Sequence, residues 1–369
     1  IVDVNNSTGL RKGTESPLVC IYSSAGGQSK ESQGKPFTQC LSYSLDRGQT
    51  FTKYEHNPVL GYIEGSNRDP KVFWHEPSKQ WIMSLILVDQ LHKFILLGSP
   101  DLKKWTRYSD IIMKEGVDCP DLFELPVNDD KGRKKWVFQV GNGEYSIGSF
   151  DGKTFKPESE IITGNYGNSF YAAQTWNNIP ADDGRRIQIA WMKYTTPGMP
   201  FNGATTFPCE LSLKTTEEGI RLFAEPAKEI ELLHEKEYQW KEEIITEGKN
   251  LLDGITGDLF DIRAELDVKN AESAGLIIRG IPVAYDIARQ ELTCMNKKAP
   301  LKTEKGKIYL QILVDRSSFE IFANHGRVYM PIGVTPEDRE RSLVLFSKGG
   351  ESKAESLKVF QMKSFWINN

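Results

Sequence analysis

A turn segment that recurs three times in the first half of the chain constrains the fold most strongly. The copies are Ser44–Phe51, Ser99–Trp105 and Ser149–Phe155, and their first residues lie 55 and 50 positions apart. Each copy has the pattern Ser-x-Asp, then turn residues, then an aromatic residue. The aspartate can accept hydrogen bonds from the turn amides while the aromatic ring anchors the turn to the core. Three copies at this spacing predict blades of a β-propeller.

Apolar runs between these turns predict the strands of the blades. Val72–Trp74 and Trp81–Leu87 flank the turn-forming segment 76–79, which is the pattern of a β-hairpin. Lys135–Val140 and Arg186–Met192 predict two further strands. The same half of the sequence has no long run with the period of an amphipathic helix.

The pattern changes after about residue 224. Residues 225–234 predict a short helical linker, and alternating apolar runs follow it. These runs are Phe260–Leu266, Gly275–Ile278, Ile308–Val314, Phe319–Phe322 and Leu343–Phe346. Strands at this spacing are typical of a β-sandwich. We therefore predict an all-β chain with a propeller domain at 1–224, a linker at 225–240 and a C-terminal β-sandwich at 241–369.

Composition and spacing exclude several classes of protein. A net charge of −4 over 369 residues gives no basic surface of the kind that nucleic acid requires. No apolar run approaches the roughly 18 residues of a membrane span. The five cysteines and five histidines have no metal-ligand spacing, so we expect no metal, no cofactor and no disulfide framework. Gly141-Asn142-Gly143 does not extend to a phosphate-binding glycine pattern.

Two acidic tripeptides are the candidate catalytic residues. Arg68-Asp69-Pro70 follows the turn-rich segment 61–67, and Asp118-Cys119-Pro120 follows the turn-rich segment 114–117. Each tripeptide leads into an apolar run. Carboxylates at matching points of successive structural units can converge on one bound molecule. Two converging carboxylates are the minimum needed to cleave a glycosidic bond.

Each candidate also has a purely structural interpretation. An aspartate before proline, such as Asp69, often only closes a turn. The guanidinium of Arg68 fits vicinal hydroxyls or a neighbouring carboxylate, but it is equally suited to a structural salt bridge. We expect Cys119 to pack beside the pocket instead of reacting. Trp191 fits a core position or a stacking face for a sugar ring, and the sequence leaves both open.

These tripeptides, with several other segments in the same order, resemble glycoside hydrolase family 32, which comprises invertases, levanases, inulinases and other β-fructofuranosidases. Arg68-Asp69-Pro70 is similar to the family's RDP motif, and Asp118-Cys119-Pro120-Asp121-Leu122-Phe123 to its ECPDLF motif. The other matching segments are 1–9, 171–176, 189–192, 208–213 and 315–324. The resemblance runs nearly from end to end.

The resemblance implies a five-bladed β-propeller followed by a β-sandwich, and a retaining hydrolysis of fructose-containing oligo- or polysaccharides. It gives Asp118 the acid/base position and Asp69 the role of binding sugar hydroxyls and stabilising the transition state. It also implies substrate contacts for Arg68, Cys119 and Trp191. Retention requires two reacting carboxyl groups about 5–5.5 Å apart.

The chain departs from the family pattern at several positions. The WMNDPNG-type motif that carries the family's nucleophile does not occur, so we expect the nucleophile and the first blade to be absent from this chain or incomplete. Asp118 stands where the family has Glu, and a carboxyl withdrawn by about 1 Å can lose roughly a hundredfold in rate. Asn165 and Ser169 replace acidic residues, and Cys209 replaces a commonly basic one.

Three functional hypotheses follow. The first is a fructan- or sucrose-active retaining hydrolase. The second is a non-catalytic relative that binds fructan or another glycan, and the third is a truncated gene product. Export to the periplasm or medium is expected from the resemblance alone, and the sequence sets no linkage preference, exo or endo action, or oligomeric state.

Overall fold

The computed structural model describes residues 1–88, 93–113, 118–196, 200–335 and 340–365. Over these residues the regular structure is almost entirely β-strand, with two short 3₁₀ helices at Lys30–Ser32 and Lys228–Leu233. The predicted all-β class is therefore confirmed. The chain forms two compact units: the first comprises 1–163 and 172–186, and the second comprises 164–171 and 187–369.

The first unit contains strands of three sheets, and in each of them strands that are neighbours in sequence lie side by side and antiparallel. The first sheet has the order β1-β2-β3, the second β4-β5-β6-β7, and the third contains β8, β9, β10 and β11 side by side. Such meanders are the blades of a β-propeller, which confirms the predicted architecture. The strands are β1 (Leu18–Ser24), β2 (Thr38–Ser44), β3 (Thr52–Lys53), β4 (Arg68–His75), β5 (Gln80–Leu87), β6 (Lys93–Ser99), β7 (Thr106–Ile112), β8 (Asp121–Val127), β9 (Asp130–Gln139), β10 (Tyr145–Phe150), β11 (Phe155–Pro157) and β12 (Tyr171–Thr175).

The repeated Ser-x-Asp segments form the turn between the last two strands of each sheet. The Asp101 Oδ1 atom accepts the backbone N–H groups of Lys103 and Lys104, both at 2.9 Å. Asp46 and Asp151 accept turn amides in the same way. The predicted role of the aspartates is confirmed.

The aromatic residues of these turns behave less uniformly. Trp105 packs against a core cluster and Phe155 is buried, as predicted. Phe51 is 47% exposed, so its predicted anchoring role is wrong. The reason is that the adjoining strand β3 has only two residues, both exposed, and provides no surface to cover the ring.

Strand β5 shows why one run of the first unit is continuously apolar. Trp81, Met83, Leu85 and Leu87 belong to one core cluster, which also contains Leu41 of the first sheet. Alternate residues of β5 point the opposite way and join a second cluster with side chains of the third sheet, among them Leu122 and Phe138. Since successive side chains of a strand point to opposite faces, a strand between two cores is buried on both sides.

The second unit contains a small antiparallel group and a β-sandwich. Strands β13 and β14 pair, and β15 pairs with β16. The sandwich has a six-stranded sheet in the order β17-β27-β18-β23-β24-β25 and a five-stranded sheet in the order β22-β21-β20-β19-β26. The strands are β13 (Arg186–Met192), β14 (Ala204–Thr205), β15 (Cys209–Thr216), β16 (Gly219–Pro226), β17 (His234–Ile245), β18 (Phe260–Asp267), β19 (Ser273–Ile278), β20 (Ile281–Asp286), β21 (Glu291–Cys294), β22 (Lys297–Pro300), β23 (Lys307–Asp315), β24 (Ser318–Ala323), β25 (Val328–Gly333), β26 (Leu343–Lys348) and β27 (Ser352–Met362).

Alternating burial explains the sandwich core. Phe260, Ile262, Ala264 and Leu266 of β18 are all fully buried in one cluster with residues of the facing sheet, among them Leu276 of β19. The intervening residues are more polar, as expected when one face of a sheet covers a core. The predicted sandwich is confirmed.

The segment predicted as a linker, 225–240, contains the 3₁₀ helix Lys228–Leu233, and β17 begins at His234. The exact domain limits remain a prediction. The turn-rich segment 114–117 lies outside the described residues. No helix in the described part of the chain is long and apolar enough to cross a membrane.

Candidate active site

The two acidic tripeptides lie side by side at the starts of two strands in the first unit. Arg68 begins β4, and Asp118–Pro120 directly precede β8. The Arg68 Nη2 atom donates a hydrogen bond to Asp118 Oδ1 at 2.7 Å, and Arg68 Nε is 3.8 Å from Asp69 Oδ2. The backbone N–H of Cys119 donates to Asp69 Oδ2 at 3.2 Å. The structure thus brings Arg68, Asp69, Asp118 and Cys119 together, and we call these four residues the Asp69 cluster.

A second ion pair joins the same two segments further along the strands. Lys71 Nζ lies 3.2 Å from Asp121 Oδ2, so this inner pair comes three residues after the outer pair, Arg68–Asp118, in both segments. The side chains of the outer pair are 29% and 25% exposed, and those of the inner pair are 8% and 1% exposed. The outer pair is therefore accessible to a ligand, while the inner pair is part of the interior.

The backbone at the cluster adopts an uncommon conformation. Asp69 and Cys119 occupy the same position in their tripeptides, and their φ angles are +59° and +54°. Ala172, second in β12, has φ +51°. Non-glycine residues with positive φ are uncommon and cluster at functional sites. In a regular strand, neighbouring side chains point to opposite faces. The left-handed residue interrupts that alternation, which lets adjacent Arg68 and Asp69 reach one cluster.

Buried polar residues hold Asp69 in place from the first sheet. The Asp69 backbone N–H donates to Ser23 Oγ at 3.1 Å, and Ser23 Oγ donates to Gln39 Oε1 at 2.8 Å. Gln39 Nε2 in turn donates to the carbonyl of Asn67 at 2.8 Å, next to the cluster. Gln39 and Asn67 are fully buried. This chain of hydrogen bonds was not predicted from the sequence, because β2 also contains threonine and serine residues and nothing distinguishes Gln39 among them.

Gly141 supports the second tripeptide. Its N–H donates to the carbonyl of Asp118 at 2.8 Å, and its carbonyl accepts the N–H of Ala173 at 3.3 Å. A Cβ atom at position 141 would lie 3.1 Å from the Asp118 carbonyl oxygen and 3.3 Å from the Cβ of Cys119. Glycine therefore permits the close backbone approach that positions Asp118. Sequence analysis assigned this glycine no role once a phosphate site was excluded.

Burial and neighbouring charges shift two groups of the cluster. Burial raises the pKa of Asp69, and the negative charge of Asp118 adds to the rise, while the Cys119 N–H and Arg68 oppose it. Burial also raises the pKa of the Cys119 thiol to about 12, with further contributions from Asp69 and Asp118. The thiol therefore stays protonated and is a poor nucleophile. This agrees with the expectation that Cys119 packs instead of reacting.

Trp191 belongs to the second unit, where it is 43% exposed on β13. Its ring lies 6.5 Å from that of Tyr171 at an angle of 65°, and Lys193 Nζ lies 5.6 Å from its centroid. This exposure rules out the core position that the sequence left open. An exposed indole with a tyrosine beside it is suited to stack on a sugar ring.

The described residues contain no group of three or more His, Cys, Asp or Glu side chains that could hold a metal ion.

Propeller blades followed along the chain by a β-sandwich define an all-β class of protein, and in this chain an arginine bridges two carboxylates at the strand starts. Comparison with known families specifies it further. The model of the glycosyl hydrolases family 32 N-terminal domain matches residues 3–226, and that of the family's C-terminal domain matches residues 229–361. The chain belongs to glycoside hydrolase family 32.

Individual relatives agree with this assignment. The chain is 36% identical to a levanase of Bacillus subtilis (strain 168) over 99% of its own length and 60% of the relative's. It is 30% identical to a levanase of Bacillus sp. (strain L7) over 99% of its length and 45% of the relative's. The crystal structure of an exo-inulinase from Aspergillus awamori superposes with a TM-score of 0.86 at 26% identity, covering 99% of this chain and 83% of that one. The chain thus spans about half of the length of these levanases.

Proposed function

We propose that the chain carries the substrate-holding part of the active site of a fructan- or sucrose-active retaining glycoside hydrolase of the β-fructofuranosidase type, an enzyme that hydrolyses O-glycosyl bonds. The observation that carries the proposal is the Asp69 cluster, in which Arg68 contacts both carboxylates at the accessible starts of two strands. The similarity to proteins described as levanases and as an exo-inulinase supports a fructose-containing substrate.

In this proposal Asp69 binds sugar hydroxyls and stabilises charge in the transition state. Within the described part of the chain, its hydrogen bonds with Cys119 and its contact with Arg68 all involve Oδ2. The Oδ1 atom is therefore available to accept a hydroxyl. Charge-assisted hydrogen bonds of this kind are about twice as strong as neutral ones. Arg68 contributes by holding both carboxylates and by offering its remaining N–H groups to the substrate.

Asp118 takes the acid/base position, and Trp191 stacks on a sugar ring. The carboxyl of Asp118 is one methylene shorter than the family's glutamate, which predicts slow protonation of the leaving group. Retention also needs a second reacting carboxylate. No WMNDPNG-type motif occurs in residues 1–369, so the proposal assigns no nucleophile among them.

The test measures fructose release from sucrose, inulin and levan. It compares this chain alone with a chimaera in which the nucleophile-bearing segment of the Bacillus subtilis levanase precedes residue 1. We expect release only from the chimaera. Asp69→Asn should abolish it, whereas the control Asp110→Asn should not, since Asp110 is an exposed residue that pairs with Arg107. A folded chimaera that releases no fructose from any of the three substrates would refute the proposal.

A second function is favoured by the shortened carboxyl of Asp118. A non-catalytic relative would bind fructan through the Asp69 cluster without turnover. Calorimetry on the chimaera would then show binding of inulin or levan in the absence of fructose release. Equal binding by Asp69→Asn would argue against the cluster as the binding site. Cooperative unfolding of this chain alone would argue against the third hypothesis, a truncated product that does not fold.

A further inference from the structure

The first unit contains a cavity of about 520 Å³ that is lined by the last residues of β4 and the first residues of β8. Trp74 and His75 line it from the end of β4, and Glu124 lines it from β8. None of the four residues of the Asp69 cluster does so. His75 lies six positions after Asp69, which corresponds to roughly 20 Å along a strand. The cavity thus extends away from the Asp69 cluster, with Asp121, three residues after Asp118, at its near side.

Two buried polar atoms that lack partners belong to residues that line this cavity. Asp121 is 1% exposed, and its Oδ2 atom accepts the N–H and the hydroxyl of Thr175 at 2.7 and 2.9 Å. Its Oδ1 atom and the Nε atom of Arg186 have no hydrogen-bond partner among the described residues. Leaving a buried donor or acceptor unpaired costs about 1–3 kcal/mol each. Such atoms therefore point to a missing partner.

The two atoms are chemically complementary, and their residues line the same cavity. Burial lowers the pKa of Arg186, and the charge of Asp121 partly offsets that lowering. Asp121 Oδ1 can only accept a hydrogen bond, and the Nε–H of Arg186 can only donate one. A hydroxyl group does both, so one hydroxyl can satisfy the carboxylate and the guanidinium together. A metal cation would be repelled by Arg186, and a simple anion by Asp121.

The remaining walls suit a molecule with an apolar face and several hydroxyls. Trp136, Phe150 and His75 line the cavity as one aromatic group, with Trp136 and Phe150 centroids 4.9 Å apart and His75 and Phe150 centroids 5.1 Å apart. The amides of Asn177 and Asn178 add polar groups. A volume of about 520 Å³ lies within the range of small-molecule sites.

We propose that this cavity is a second binding site, for a monosaccharide or a small polyol, in which one ligand hydroxyl bridges Asp121 Oδ1 and Arg186 Nε. The aromatic group covers the apolar face of the ligand. The proposal does not depend on hydrolysis at the Asp69 cluster. Its competitor is an ordered water molecule that satisfies the same two atoms.

The test follows the indole N–H resonances of the tryptophans by NMR during titration with fructose and with sorbitol. Resonances are assigned with single Trp→Phe variants. Trp74 and Trp136 line the cavity, and we expect both to shift saturably. Trp191 reports independently on the proposed substrate site. Shifts confined to Trp191, or no saturable shift at Trp74 and Trp136, would mean that the cavity holds water only and would overturn the proposal.

Two neighbouring arginines provide a matched pair of variants. Arg186→Met removes the proposed hydrogen bond and should weaken fructose or sorbitol binding at Trp74 and Trp136 about tenfold or more, since a charged hydrogen bond contributes roughly 1.5–3 kcal/mol. Arg185→Met is the control, because Arg185 pairs with Asp183 at 2.7 Å and does not line the cavity. Equal affinities in both variants would refute the bridge. If Arg186→Met fails to fold, the titration of the unaltered chain still decides.

Discussion

The inner ion pair, Lys71–Asp121, gives the most direct test of how the candidate site is supported. Lys71→Met keeps a side chain of similar length and removes its charge. Among the described residues, Asp121 would then keep the hydrogen bonds from Thr175 and the electrostatic influence of Arg186, at 1% exposure. The carbonyl of Thr175 would also lose the hydrogen bond from the Lys71 ammonium. Removing one partner of a buried pair costs about 3–5 kcal/mol. We expect a loss of that size in the free energy of unfolding.

The outer ion pair is the internal control for this prediction. Arg68 and Asp118 join the same two segments, but their side chains are 29% and 25% exposed. Water therefore stabilises the remaining charge, and exposed pairs contribute about 0–1 kcal/mol. Arg68→Met should lower the free energy of unfolding by no more than that, while it removes the contact that we propose for substrate binding. The two variants separate stability from function.

The double variant Lys71→Met/Asp121→Asn completes the test. The amide oxygen introduced in place of the Asp121 carboxylate would still accept the Thr175 N–H, and the buried anion would be gone, while Arg186 would lose the compensating charge of Asp121. We expect the double variant to recover most of the stability lost by Lys71→Met alone, because the uncompensated charge is the main cost. Urea denaturation followed by tryptophan fluorescence gives the three values. A Lys71→Met loss no larger than that of Arg68→Met would refute the argument from burial.

Further predictions concern three other groups. Asp118→Glu in the chimaera should raise kcat for fructan hydrolysis by up to about a hundredfold by restoring the reach of the carboxyl; an unchanged kcat would contradict the acid/base assignment. Burial raises the pKa of Glu320 from 4.5 to about 8. Its contribution to the free energy of unfolding is therefore full below pH 4.5 and is lost as the pH rises through about 8. The total loss is on the order of 5 kcal/mol. In the Glu320→Gln variant, the free energy of unfolding measured in urea should decrease less with rising pH. A pH dependence equal to that of the unaltered chain would contradict the role given to Glu320. Because the pKa of the Cys119 thiol is raised to about 12, iodoacetamide at neutral pH should label exposed Cys20 and spare Cys119, and equal labelling would be the contrary result.

The strands and turns could be predicted because their signals are local. The Ser-x-Asp turns carry their own hydrogen-bond acceptor, and Asp101 and Asp151 use it as expected. Apolar alternation likewise predicted β18 and β23 almost to their ends. Such features depend on neighbours within a few residues, so tertiary packing does not change them.

The geometry of the site could not be predicted, because it depends on contacts between distant segments. Nothing in an Arg-Asp-Pro sequence indicates a positive φ at Asp69, since the residue is not glycine. The sequence analysis expected the two candidate carboxylates to occupy matching positions. In the structure, Asp69 matches Cys119 instead, since both are the middle residues of their tripeptides and both have a positive φ angle. The residue that matches Asp118 in the other tripeptide is Arg68. Only the side-by-side placement of β4 and β8 makes this visible.

The two ion pairs explain how that strained geometry is maintained. Positive φ angles at Asp69 and Cys119 cost of order 1–3 kcal/mol each and persist only where the surroundings enforce them. The inner pair fixes β4 against β8 with an offset of 121 − 71 = 50 residues, and the outer pair has the same offset, 118 − 68 = 50. The loops between the strands can change in length without affecting either pair. The spacing of three residues from Arg68 to Lys71, and from Asp118 to Asp121, cannot change. A slip of one residue would turn the side chains to the opposite face of the strand. The buried pair therefore sets the register in which Arg68 can reach both carboxylates.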